Sequence, residues 1–230
     1  MSDFCQRIHE ILGPAPFLRY PFSMETLPSE AIYFMYQDGE TWGHGGNRPR
    51  IVQIGTQRDG NFAARLAEHF VLNERKMDFD GESPAPKDRS ILRKTIGRAL
   101  LARASDPYFE MWNRDCTTKA ERDRYGMNRD ILKEQQLERE ITVLLREHFF
   151  VRYLPVSAEE ERMGQGSITR RLIATIAQCG CCHASPLWLG RYSPSETIRH
   201  CYLWQVQHTN GAATEAGDLE YLEGLVAASR

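Results

Sequence analysis

Two apolar runs, separated by a glycine-rich connection, constrain this chain more than any other feature. In the first, Ile32, Phe34 and Tyr36 alternate with Tyr33, Met35 and Gln37, and both sets are largely apolar. A strand of that kind needs cover on both faces, which predicts a central strand of a sheet. Asp38-Gly39-Glu40 turns the chain, Gly43, Gly45 and Gly46 loosen the connection, and a second strand over 50–54 ends at Gly55. The pattern is a hairpin with a long loop. The period then changes. Phe62, Leu66 and Phe70 recur at i, i+4 and i+8, the buried stripe of a helix over about 60–72, with Asp59 as its expected N-cap. Arg65 and His69 lie one residue back from that stripe and share a flank at the border of the core.

The rest of the chain supplies helices. Residues 1–29 are expected to form an entry segment, since Pro14, Pro16, Pro21 and Pro28 interrupt any long element. Residues 73–88 are charged, carry Pro84 and Pro86, and read as a loop. Helices are expected over 90–104, 130–147 and 167–178, a third strand over 149–156, and irregular chain over 105–128 anchored by Trp112. A domain over 30–210 is followed by a tail, 211–230, with a weak terminal helix. The expected fold class is α/β, a small and mostly antiparallel sheet of about three strands flanked by helices.

Composition excludes some classes and leaves others. The chain has 230 residues, enough for one sizeable core. A net charge of -2 carries no global signal for nucleic acid, although one basic face is enough to attract phosphate. No segment approaches the roughly 20 apolar residues of a membrane span. The first ten residues carry Asp3 and Glu10 and do not read as a secretory signal. Six cysteines, three of them bunched, do not suggest a disulfide framework, and a reducing cytoplasm is the expected location.

Hydrolysis of a phosphodiester needs a group to deprotonate water and groups to hold the negative charge that grows on phosphate. Tyr33 can present a phenol from its strand, Arg65 can grip phosphate oxygens, and His69 can share a proton. Lys87, Arg89, Arg93, Lys94 and Arg98 make the entry and one face of the 90–104 helix basic. They read either as a solvated face or as contacts to a nucleic-acid backbone.

Beyond this, the order of short motifs resembles the GIY-YIG nuclease superfamily. Tyr33 matches the tyrosine of the first motif, with Ala31 in place of its glycine, and Gly55 matches the glycine of the second. Arg65 falls at the family's catalytic arginine and His69 at a histidine four residues later. Ser90-Ile91-Leu92-Arg93-Lys94, Leu172-Ile173-Ala174, Trp188-Leu189-Gly190 and Leu203-Trp204-Gln205-Val206 are similar to a bacterial branch, so the likeness covers roughly residues 30–208. It implies a DNA endonuclease with one divalent cation, Mg2+ or Mn2+, and a role in DNA repair, restriction or defence. Three positions depart from the pattern. Gln53 replaces the second tyrosine, Thr169 stands where the metal-binding glutamate is expected, and Leu187 stands at the usual asparagine. Three explanations stay open. The metal ligand has moved, with Glu138, Glu140 and Glu161 as candidates; the register is off by a turn; or the domain binds without cutting.

Cys179, Cys181, Cys182 and His183 form a second chemical cluster, within reach of His200, Cys201 or His208 for zinc. Their spacing is not that of a zinc finger, and free, partly buried thiols are the expectation.

Overall fold

The computed structural model describes residues 2–58, 60–80 and 83–229. Its elements in chain order are α1 Ser2–Leu12, β1 Phe17–Arg19, β2 Ala31–Thr41, β3 Pro49–Gly55, α2 Phe62–Phe70, α3 Pro86–Arg89, α4 Ile91–Arg103, α5 Phe109–Trp112, α6 Lys119–Tyr125, α7 Ile131–His148, β4 Phe149–Pro155, α8 Glu159–Met163, α9 Ile168–Ala177, α10 Glu196–Cys201 and α11 Ala216–Ala228. The sheet order is β1-β4-β2-β3 and every pair is antiparallel. The expected α/β architecture is present. Its fourth strand, β1, is a three-residue edge strand with no alternation long enough to read.

β2 divides the molecule. Its odd residues Ala31, Tyr33 and Met35 face a core built with Phe62, Leu66 and Phe70 of α2, Leu92 and Ile96 of α4, and Ile141 and Leu145 of α7. Its even residues Ile32, Phe34 and Tyr36 face a second core with Ile8 and Leu12 of α1, Leu172 and Ile176 of α9, and Leu222 and Val226 of α11. Each side chain from Ala31 to Tyr36 therefore has a helical layer to cover it, as that apolar run requires.

Several local expectations change. The entry segment holds α1 and β1, and α1 stops at Leu12, before Pro14. The 105–128 stretch contains α5 and α6. Trp112 anchors it, lying against Gly97 of α4, where a Cβ would meet the indole at 2.5 Å, and donating its indole N–H to Lys94 O at 3.0 Å. Asp59 lies outside the described residues. The α2 cap is Asn61, whose Oδ1 accepts from the Ala64 N–H at 3.0 Å.

Two features of β3 position the site. Met35 pairs with Gln53 while Tyr36 pairs with Ile51, so Val52 is an extra residue, a β-bulge. Without it Gln53 and Gly55 would fall on the face opposite Tyr33; with it, both share the Tyr33 face. The outer edge of β3 is also covered. The Ile51 N–H donates to His9 Nε2 at 3.1 Å, and Val52 O accepts from the Trp204 N–H at 2.7 Å. That second bond fastens the 203–208 segment beside the strand, blunting an edge that would otherwise invite pairing.

Candidate active site

Tyr33 is 1 % exposed, and its hydroxyl lies 3.0 Å from His69 Nε2. His69 Nδ1 lies 2.7 Å from Ser90 Oγ, and Ser90 Oγ accepts the Arg93 N–H at 3.2 Å as the N-cap of α4. The three side chains form a line, Tyr33–His69–Ser90, running from the sheet through α2 to the start of α4. His69 is wholly buried rather than at the core border. Burial, and then the charges of Arg65 and Arg93, hold its pKa well below the ordinary imidazole value, so the ring is neutral.

Gly55 is the cross-strand partner of Tyr33. A Cβ there would lie 2.3 Å from the Tyr33 hydroxyl. The glycine leaves room for the tyrosine ring.

Arg65 Nη1 donates to Glu68 at 2.8 Å and to Arg89 O at 3.0 Å, while its buried Nε has no partner. Burial opposes its charge, but Tyr33 and Glu68 hold its pKa above the ordinary value.

A cleft of about 300 Å³ opens beside β3 between α2 and α9. It brings together Tyr33, Gln53, Gly55, Arg65 and Thr169, five positions drawn from four segments. Arg58 and Arg170 join them, and Trp204, Gln205 and His208 close the far wall; Arg162 also borders the opening but is buried, with Nη1 on Gln57 O and Nη2 on Glu30 Oε1, each at 2.6 Å. Gln53 Oε1, Thr169 Oγ1 and Gln205 Oε1 are buried without a hydrogen-bond partner. Such atoms carry a desolvation cost that a ligand or water relieves. His69 does not line the cleft; it stands behind Tyr33.

The basic run lies elsewhere. Arg93 is fully buried, donating to Glu138 Oε2 at 2.8 Å, to His69 O at 2.7 Å and to Thr142 Oγ1 at 2.7 Å. Lys87 is 1 % exposed and donates to Asp88 at 3.0 Å and Arg114 O at 2.8 Å. Both are buried and hold helices together. Arg89 is exposed but opens on a separate hollow with Glu68 and Lys76. Lys94, 3.4 Å from Asp88, and Arg98 also lie outside the cleft. Three of the cleft's arginines were missed: Arg58 and Arg162 are single cations in their segments, and Arg170 stands with Arg171 in a pair too short to read as a basic run. Arg170, two residues before the Leu172-Ile173 pair, was the nearest to a signal.

The substitute metal ligands do not reach the cleft. Both carboxylate oxygens of Glu138 are engaged, one by Arg93 and one by the Lys87 N–H at 2.7 Å. Glu140 borders a hollow with Lys133 and Gln136. Glu161 lies on α8 but does not line the cleft, and acts electrostatically on Arg171 and Tyr221. Leu187 is 92 % exposed and also outside it. Among the described residues that line the cleft there is no Asp or Glu. Nucleases of the family that these motifs resemble generally use divalent metals, but a hydroxyl and two amides among four arginines do not fit a hard cation.

The bunched cysteines separate. Cys181 and His183 are exposed, while Cys179 and Cys182 turn inward toward Cys5 and His44. Cys201 packs against its own turn, with Leu203 O 3.7 Å from its thiol. No described helix is long and apolar enough to cross a membrane.

A β2–β3 hairpin that sets Tyr33 opposite Gly55, with Arg65 on the next helix, defines a nuclease-type domain. Residues 3–230 match the family described as the GIY-YIG domain, and the chain belongs to the GIY-YIG nuclease superfamily. No curated protein and no solved structure matches it.

Proposed function

We propose that this chain is an endonuclease-type domain that seats a DNA phosphodiester in the cleft between α2 and α9. The observation that carries this reading is the meeting of the Tyr33 hydroxyl, Arg65, Arg58, Arg170 and three unpartnered polar side-chain oxygens at one opening. Guanidinium groups hold phosphate oxygens in forked geometry and stabilise charge that develops on them. Ser90 Oγ already accepts the Arg93 N–H, so its proton is free to donate to His69 Nδ1. In that tautomer His69 Nε2–H donates to the Tyr33 oxygen, and the phenol proton faces the cleft. As the attacking water gives its proton to the Tyr33 oxygen, the phenol's own proton passes on to a phosphate oxygen in the cleft, so the tyrosine orients and deprotonates water without a net change of its own, while Arg65 holds the phosphate. No step is assigned to a metal, because the lining residues do not fit one.

A second reading is favoured by one observation, the absence of a carboxylate among the described residues that line the cleft with Thr169. On that reading the domain grips DNA without cutting it.

Supercoiled plasmid, with Mg2+ or Mn2+ present, distinguishes the two. The parent chain is expected to nick plasmid, and Tyr33→Phe and Arg65→Ala to lose nicking by about 100-fold, the usual scale for a general base or a charge-stabilising donor. No nicking combined with salt-dependent DNA binding would hand the case to the second reading. Binding insensitive to salt would remove both, since phosphate contact is steeply salt-dependent. Thr169→Glu is expected to make nicking respond to Mg2+ more strongly than in the parent.

A further inference from the structure

We propose that Cys5, His44, Cys179 and Cys182 form a structural zinc site. Their ligand atoms all lie within 4.8 Å of one another. A tetrahedral zinc with Zn–S of about 2.3 Å and Zn–N of about 2.0–2.1 Å sets an S···S edge of about 3.8 Å and an S···N edge of about 3.5 Å. Cys5 Sγ and Cys182 Sγ are 3.7 Å apart, and Cys179 Sγ and His44 Nε2 are 3.5 Å apart. Two edges of the tetrahedron are already in place. The Cys5–Cys182 separation is also far too long for a disulfide, whose S–S bond is about 2.05 Å.

The surroundings suit a metal-bound thiolate. The Gly43 N–H donates to Cys182 Sγ at 3.4 Å. A Cβ on Gly43 would fall 1.8 Å from the Cys181 carbonyl oxygen, so the hairpin loop can press onto the cysteine turn only with glycine there. His9 is not a fifth ligand. Its Nε2 accepts the Ile51 N–H, so its Nδ1–H donates to Cys5 O at 2.9 Å. Cys5, Cys179 and Cys182 are buried, which closes the site to substrate. Three thiolates and one imidazole with no open position make a structural zinc centre rather than a catalytic one.

Such a site joins three distant parts of the chain: α1, the β2–β3 connection and the turn after α9. That turn leads into the segment that carries Trp204 and Gln205 to the cleft. The inference does not depend on the chemistry of the cleft, and its test does not read activity.

Metal analysis of the full-length protein, purified under reducing conditions, is expected to give one zinc per chain. Cys181→Ser and His183→Ala should retain it, and Cys179→Ser and His44→Ala should lose it. To keep the test independent of whether a ligand variant folds, the parent is also to be loaded with cobalt. Thiolate-to-cobalt charge-transfer absorption and the intense visible bands of tetrahedral cobalt are expected. Stripping with a chelator should lower the thermal midpoint, and zinc should restore it. Zinc content well below one per chain after incubation with zinc, an octahedral cobalt spectrum, or a disulfide among Cys5, Cys179 and Cys182 in the reduced protein would overturn the proposal.

Discussion

Tyr33 owes its position to a residue without a side chain. The ring passes over Gly55 at a distance that leaves no room for a methyl group. Gly55→Ala is therefore expected to push Tyr33 off His69, costing about 1–3 kcal/mol in urea-unfolding stability and abolishing the Tyr33-dependent activity. His69 makes a second prediction at this scale. Its buried ring stays neutral while the unfolded chain takes up a proton below about pH 6.5. The folded value is depressed, so the contribution of this residue to stability is present above that pH and is lost as the pH falls below it. In NMR titration the His69 ring should show no protonation step between pH 8 and 6, and a step near pH 6.5 would refute the neutral relay. Tyr33, Gly55 and Arg65 were readable in the sequence because their spacing is local, within one hairpin and the helix that follows. Ser90 was readable only as the start of a helix, and its contact with His69 depends on how α4 meets α2.

Among the elements, α2, α4 and α7 are locked by one ion pair. Arg93 donates to Glu138 at 2.8 Å and to His69 O at 2.7 Å, and both Arg93 and Glu138 are fully buried. Burial pushes the Glu138 carboxyl up, and Arg93 draws it back. Breaking a buried pair leaves its partner's charge uncompensated. Glu138→Ala is thus expected to lose about 3–5 kcal/mol in denaturant unfolding, a far larger loss than for the exposed Glu140→Ala. The long helices were legible, since their apolar periods extend over several turns, as with Leu137, Ile141 and Leu145 of α7. The basic face of α4 was not, because charge on a helix normally means solvent. Here Arg93 points inward to a carboxylate 45 residues away, a partner no helical period reveals. The cleft was illegible for the same reason, its arginines arriving one at a time from the β3–α2 connection, α8 and α9.

For the molecule as a whole, the ends of the chain belong to the core. α1 and α11 pack together beneath the sheet, with Ile8, Leu12, Leu222 and Val226 buried among the residues of β2 and α9. We infer that residues 2–229 fold as one unit. Removing 211–230 would expose partners of Leu222 and Val226, each worth roughly 1.5–3 kcal/mol when fully buried. The truncated chain is expected to show a lowered thermal midpoint and broadened amide resonances across β2. A truncation with unchanged stability would show that the tail is an appendage. β2 itself lends alternate side chains to two different cores. Slipping it by one residue against β4 would send Tyr33 to the α1–α9–α11 side and Phe34 to the α2 side, and neither core could close. The strand that carries Tyr33 is therefore its own proofreader: a chain that has folded at all has put that tyrosine on the α2 side.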